Sequence, residues 1–162
     1  MDRDLIPDAH LPWGALEWDK DPPPAEWDHA LAALSGHPLQ SCLWGDARRA
    51  VDGIAQHRWL ARRDGEPIWM IRVEERKVLG GKIAWAPRGP TGRTADMSLS
   101  VPPGLDERLR AEGFALLICD PWVANRDMAR QSDKAARNHL LHGLLSVVKY
   151  SAPFAAVIRV DI

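Results

Sequence analysis

The sequence predicts a mixed α/β lobe built on one mainly antiparallel sheet flanked by helices. Apolar residues recur at helical spacing in the first third of the chain, and from residue 56 onward they fall into short runs between turn residues. With 162 residues, 46% of them hydrophobic, the chain can bury one core. We therefore expect a single lobe over residues 25–162, preceded by a proline-rich arm over residues 1–24.

The first part of the chain predicts the arm and two helices. The arm ends in a proline run at 22–24, which can neither continue a helix nor donate to a strand ladder, and its Trp13 and Trp18 are expected to dock on the body. Helical spacing predicts a helix over 25–34 and a second one from 41 to 53. The apolar residues of the second helix share one face: Leu43, Ala47, and Ala50 or Val51.

A three-stranded meander is predicted next. Two strand-like runs, 58–63 and 67–73, flank an Asp-Gly turn, which is a strong hairpin signal. A charged link at 74–77 separates them from a third strand at 82–86. We therefore expect three neighbouring antiparallel strands.

A short helix and a buried strand are predicted after the meander. Residues 105–112 predict a short helix closed by Gly113, and the unbroken apolar run at 114–119 is typical of a strand covered on both faces. A polar stretch at 125–138 leads to a helical or mixed segment at 139–148. Alternation at 154–162 predicts a final strand.

Composition and charge exclude several classes of protein. The 21 basic and 22 acidic residues nearly cancel, so no overall field attracts the chain to nucleic acid or anionic lipid. No apolar run approaches the about 20 residues of a membrane span, and no signal peptide precedes the arm, so we expect a cytoplasmic protein. Cys42 and Cys119 lack metal or disulfide spacing and are predicted to be core residues. His139 and His142 have no third ligand nearby, and no dinucleotide or phosphate-loop fingerprint occurs, so neither a metal nor a bound cofactor is expected.

Three segments in order carry a family resemblance. They are LQSCLWG (39–45) opening a helix, KIAWAPRGP (82–90) ending a strand, and LLICDP (116–121). In this order and spacing they resemble the first lobe of the FemAB peptidyltransferases, over residues 25–123. The resemblance implies a half with the fold of GNAT acyltransferases. It also implies transfer of an amino acid from aminoacyl-tRNA to an amine of a peptidoglycan precursor, or gripping of that precursor by the first lobe.

The resemblance also implies roles for individual residues. By position, Arg48 matches a basic residue that holds the diphosphate of the precursor, and Asp120 matches an aspartate that contacts the acceptor. Arg88, in the Pro-Arg-Gly-Pro loop, is a further candidate phosphate contact, although turn formation also explains the Pro and Gly residues of this loop. The general base and other catalytic residues are unassigned. The implied partners are a nucleotide-linked cell-wall precursor and aminoacyl-tRNA. No counterpart of the second lobe is recognised before Ile162, so a partner lobe or a homo-oligomer is an open alternative.

Two other functions remain open. The pattern RAEGFA (110–115) fits a loose form of the loop by which CoA-dependent GNAT enzymes bind pyrophosphate, with acetyl-CoA as the donor. Such a loop must follow a strand and open a helix, whereas here it is predicted to close a helix, so a C-cap at Gly113 is favoured. The other alternative is a non-catalytic lobe that acts as a binding or dimerisation module.

Overall fold

A computed structural model of the protein describes residues 13–79, 81–122 and 156–159, the last of these by backbone alone. Within these residues, seven strands form one sheet: β1 (Glu17–Lys20), β2 (Gln56–Arg63), β3 (Glu66–Val78), β4 (Gly81–Ala86), β5 (Thr91–Gly92), β6 (Phe114–Cys119) and β7 (Ala156–Arg159). The order is β1-β2-β3-β4-β6-β7, with the short β5 beside β3. Every pair is antiparallel except the parallel pair of β4 and β6.

Helices flank this sheet: α1 (Pro24–Ala33), α2 (Cys42–Asp52), α3 (Ala95–Ser98) and α4 (Leu105–Ala111), with a 3-10 turn at Pro38–Gln40. The predicted fold class, a mixed α/β half with one mainly antiparallel sheet flanked by helices, is confirmed. The predicted ends of α2 are also confirmed, because the Ser41 hydroxyl accepts from the Trp44 N–H and Gly53 adopts the left-handed conformation that closes the helix.

The sheet separates two apolar clusters. Alternate side chains of β3 point to opposite faces. Trp69, Ile71 and Val73 belong to the larger cluster, which includes Leu105 and Leu109 of α4. Met70 belongs to the smaller cluster, between the sheet and α1 and α2. The larger cluster also contains Cys119 and the smaller one Cys42, which confirms both cysteines as buried core residues.

The strand β3 is longer than the sequence predicts. The residues at 74–77, expected to be a charged link, continue β3 and pair with β4. Their carboxylates are satisfied within the sheet, since Glu74 pairs with Arg76 and Glu75 with Lys82. The strand tolerates these charged residues because each carboxylate has a cationic partner. The prediction of a link at 74–77 was wrong because the run of charged residues was interpreted as the end of the strand.

Part of the predicted arm belongs to the sheet. Residues 17–20 form β1 and pair with β2, and the loop before them buries Trp13. The ring of Trp18 lies 6.1 Å from that of Trp69. Docking of both tryptophans is thus confirmed, whereas residues 1–12 of the arm lie outside the described residues.

The helix α2 turns its apolar stripe away from the sheet. Leu43 and Val51 are exposed, and the helix instead buries Cys42 and Gly45. A Cβ on Gly45 would lie 3.2 Å from the Cδ atom of Arg72, so only a small residue allows this close approach.

At the C-terminus, the predicted final strand is confirmed by β7, which pairs with β6. The predictions for 125–138 and 139–148, including His139 and His142, lie outside the described residues. None of the described helices is long and apolar enough to cross a membrane.

Candidate substrate-binding site

Two of the three site residues predicted from the sequence lie together at the carboxyl ends of β4 and β6. The Nη1 atom of Arg88 is 3.5 Å from the Oδ2 atom of Asp120. The backbone N–H of Asp120 also donates to the carbonyl groups of Ala86 (3.3 Å) and Gly89 (3.1 Å). The carboxyl ends of parallel strands are where sheets of this kind commonly bind ligands. The pair is partly open to solvent, with 39% of the Arg88 side chain and 22% of the Asp120 side chain exposed.

The loop that carries Arg88 has an unusual backbone. Arg88 has a φ of 54°, in the left-handed region that non-glycine residues rarely adopt. Such a conformation persists only where surrounding contacts determine it. Its guanidinium carbon lies 5.9 Å from the centre of the exposed Trp122 ring. The contacts that hold the loop are therefore central to the site.

Gln40 provides those contacts through its side-chain amide. The Nε2 atom donates to the carbonyl groups of Arg72 (3.1 Å) and Pro87 (2.7 Å), and the Oε1 atom accepts from the Arg72 N–H (2.7 Å). Arg72 lies between the stretch of β3 that pairs with β5 and the stretch that pairs with β4. The amide thus replaces a missing strand partner, and the same group holds the start of the Arg88 loop.

The fit of Gln40 explains the glycine that follows Arg88. A Cβ on Gly89 would lie 2.5 Å from the Cδ atom of Gln40, closer than side chains approach. Gln40 is fully buried, and its own carbonyl accepts from the Trp27 indole N–H at 2.8 Å. The motif 39–45 contains Gln40, but no local pattern predicts a role for it, because its partners lie 32 and 47 residues away.

His37 is a second neighbour that sequence reasoning missed. Its Nδ1 atom accepts from the Leu39 N–H at 3.1 Å, which assigns the proton of the neutral ring to Nε2. Its ring lies 5.2 Å from the Trp122 ring. Burial and then the nearby positive charge of Arg88 lower the pKa of His37, against a smaller opposite effect of Asp120. His37 is therefore a neutral hydrogen-bond donor rather than a second cation.

The third predicted residue, Arg48, lies in a different cluster under α2. Its Nε atom is 3.5 Å from Glu74 Oε1, and it also pairs with Asp52 one helical turn away. The same Glu74 carboxylate pairs with Arg76 at 2.6 Å and lies 3.8 Å from Arg72. Burial lowers the pKa of Arg72 to about 10, although Glu74 opposes this. No contact joins this arginine cluster directly to Arg88 in the described part of the chain.

Two further predictions concern cofactors. The RAEGFA pattern closes α4 at Gly113, whose φ is 81°, and leads into β6, as predicted. Among the described residues, no group of three or more His, Cys, Asp or Glu side chains is arranged to hold a metal ion.

Comparisons with known proteins give little beyond this geometry. No family model and no curated protein match the chain. A similar solved structure is that of a ribosomal-protein-alanine N-acetyltransferase from Brucella melitensis biovar Abortus 2308, with 13% sequence identity. The match has a TM-score of 0.48 and covers 86% of this chain and 99% of that chain.

Proposed function

We propose that this chain takes part in acyl transfer to an amine and that the Arg88–Asp120 pair binds the acceptor. The observation that carries the proposal is the partly exposed ion pair at the carboxyl ends of β4 and β6. The carboxylate of Asp120 can accept hydrogen bonds from an ammonium or amine, and the guanidinium of Arg88 can fork onto a carboxylate or phosphate. A ligand that carries both groups can exchange for the internal pair without leaving either charge unmatched.

The neighbours of the pair suit the same ligand. The neutral His37 contributes an Nε2 donor without repelling the ammonium group of a substrate. Trp122 offers an indole face on which the apolar part of a ligand can pack. Acyl transfer requires the amine to be held against the acyl carbon, and fixed groups of this kind supply positioning. No residue is assigned as the general base.

The finer proposal is that the acceptor is a nucleotide-linked cell-wall precursor and that aminoacyl-tRNA is the donor, in the cytoplasm. The three sequence motifs that resemble the FemAB family support it. In this proposal the cluster of Arg48 and Arg76 takes the diphosphate, since three guanidinium groups including Arg72 surround the single carboxylate of Glu74. A second lobe or a second copy of the chain would supply the donor site.

The alternative is a CoA-dependent N-acyltransferase, which shares the coarser reaction of acyl transfer to an amine. It differs in the donor, and acetyl-CoA therefore discriminates the two. The third possibility is a non-catalytic module, which is expected to bind neither of the two substrates.

Isothermal titration calorimetry with a UDP-linked muropeptide tests the proposal. We expect binding to the wild-type chain and a loss of about tenfold or more in affinity for Arg88→Ala and Asp120→Ala, because each substitution leaves one charge of the ligand unmatched. Arg93→Ala is a matched control, since Arg93 is an exposed arginine whose side chain donates to the carbonyl of Pro67, away from the Arg88–Asp120 pair.

Acetyl-CoA is titrated in parallel. Binding of acetyl-CoA without muropeptide binding would favour the CoA-dependent alternative. If neither ligand binds, the acceptor proposal is wrong. A loss of affinity in Arg93→Ala equal to that in Arg88→Ala would place binding outside the Arg88–Asp120 pair.

A further inference from the structure

The end of the β3–β4 hairpin extends beyond β2. Pairing between β2 and β3 ends where Gln56 lies opposite Glu74, whereas pairing between β3 and β4 continues to Val78 opposite Gly81. The end of β3 is therefore not covered by β2, while β6 still pairs with β4 as far as Lys82. We call residues 76–79 together with Lys82 the hairpin tip.

The hairpin tip exposes aliphatic side chains. Leu79 is fully exposed and Val78 is 47% exposed, and both lie where β3 ends, in the hairpin tip. An exposed aliphatic residue is common by itself, but two adjacent ones at the outermost point of a hairpin form an apolar cap. Nothing in the described part of the chain covers this cap.

The same tip presents its cations outward and its carboxylates inward. The side chains of Arg76 and Lys82 are 41% and 36% exposed, whereas those of their partners Glu74 and Glu75 are 3% and 8% exposed. Lys77 is exposed and has no ion pair among the described residues. The charge that faces solvent at the tip is therefore positive.

One cross-strand pair at the tip places two positive charges opposite each other. Lys77 lies directly opposite Lys82 in the strand register. Like charges at opposed positions of an antiparallel pair destabilise it. The contact between Lys82 and Glu75 offsets part of this repulsion, and an anionic partner near Lys77 would reduce it further. The chain as a whole carries a net charge of −1, so any attraction to an anionic surface must come from such a local patch.

We propose that the hairpin tip docks on an anionic lipid surface. Leu79 and Val78 enter the interfacial region, and Lys77 and Lys82 contact the headgroup phosphates. An apolar tip with flanking cations is the combination that favours reversible interfacial binding. This proposal does not use the Arg88–Asp120 pair, which lies at the opposite end of β4 from the tip.

The side-chain types at the tip favour lipid over nucleic acid. Both lipid headgroups and nucleic acid carry phosphate groups that could pair with the cations of the tip. Sequence-tolerant nucleic-acid surfaces stack bases on aromatic side chains, whereas the tip carries Val78 and Leu79, which cannot stack. Aliphatic side chains gain free energy by entering hydrocarbon, so they point to a bilayer. Two such residues give weak binding, at most comparable to a single acyl chain, with a partition constant of roughly 10⁴ M⁻¹.

Vesicle flotation with the full chain tests this proposal. The two vesicle types are pure phosphatidylcholine and phosphatidylcholine with about a third phosphatidylglycerol. We expect binding to the second type only, reduced by added salt. Lys77→Glu is expected to lower binding by at least about fivefold, the change typical of removing one basic residue near an anionic surface. Leu79→Asp should lower it at least as much.

The matched control is Leu43→Asp on α2, because Leu43 is also a highly exposed leucine but lies away from the tip. It should bind like the wild type. Absence of wild-type binding to anionic vesicles overturns the proposal, as does an equal loss in Leu43→Asp. Binding to a single-stranded RNA that falls in Lys77→Glu but not in Leu79→Asp, with no vesicle binding, would assign the tip to nucleic acid instead.

Discussion

Charged side chains are paired differently at the two ends of the parallel strands β4 and β6. At the amino end, His57 lies 3.2 Å from Glu75, Lys82 lies 3.1 Å from the same carboxylate, and Lys20 pairs with Glu112. The Glu75 carboxylate thus contacts both Lys82 and the His57 ring, and Glu112 has Lys20 as its partner. At the carboxyl end, the neutral amide of Gln40 satisfies the backbone, and the Arg88–Asp120 pair stays partly open. The amino end therefore has its charges paired within the sheet, whereas the carboxyl end keeps one ion pair partly accessible to a ligand.

The largest expected effect is that of Gln40→Ala. It leaves the Arg72 N–H and the Arg72 and Pro87 carbonyl groups without their partner, at a cost of about 3 kcal/mol in unfolding free energy. Gln56→Ala is the matched control. It removes a half-buried glutamine that also contacts Arg72, and should cost about 1 kcal/mol. Chemical denaturation measures both values, and equal costs would contradict the central position of Gln40.

The next effect tests the contact between Gln40 and the loop. Gly89→Ala places a Cβ against the Gln40 amide, which we expect to cost about 1 to 3 kcal/mol. In the double variant with Gln40→Ala, the amide that the new Cβ would contact is gone. The loss of unfolding free energy in the double variant should therefore be smaller than the sum of the losses in the two single variants. Additive costs in a double-mutant cycle would show that Gln40 does not support the loop.

The smallest effects separate the two ends by pH. Burial raises the pKa of Glu75, but hydrogen bonds from Lys82 and His57 outweigh this and hold it below the usual 4.5. The unfolded chain therefore binds the proton first, and the stability due to Glu75 is lost as pH falls below 4.5. The pKa of His37 lies below its usual 6.5, so the unfolded chain binds more protons there too, and stability falls as pH drops below 6.5.

Two variants isolate these contributions, each expected to be about 1 kcal/mol or less because both groups keep some contact with solvent. His37→Asn keeps an acceptor for the Leu39 N–H and should flatten the stability profile just below pH 6.5. Glu75→Gln should flatten it only below pH 4.5. Denaturation midpoints across this pH range measure the effect, and identical profiles for both variants would contradict separate roles for the two ends.

Local signals in the sequence predicted much of this fold. The ends of α2 follow from Ser41 and Gly53, and the β2–β3 hairpin follows from Asp64 and Gly65, whose φ angles are both positive. The strand β1 was missed because its pairing with β2 is set by residues about 40 positions away, and polar residues conceal it.

The candidate site was predictable only in part. Arg88 and Asp120 were identified from motifs at the ends of two strands, and they meet because those strands are parallel neighbours. Gln40 and His37 act through distant backbone groups and through space, which no local pattern records. Arg48 was predicted from the family resemblance, and it lies in a second cluster with Glu74 and Asp52, so its part in binding the precursor stays a prediction.

The most direct test of the account is calorimetric titration of the wild-type chain and Arg88→Ala with a UDP-linked muropeptide. The account predicts binding to the wild type and a loss of about tenfold or more in the variant, with an unchanged denaturation midpoint. Equal binding by both proteins, or no binding by the wild type, would contradict the claim that the Arg88–Asp120 pair holds the acceptor.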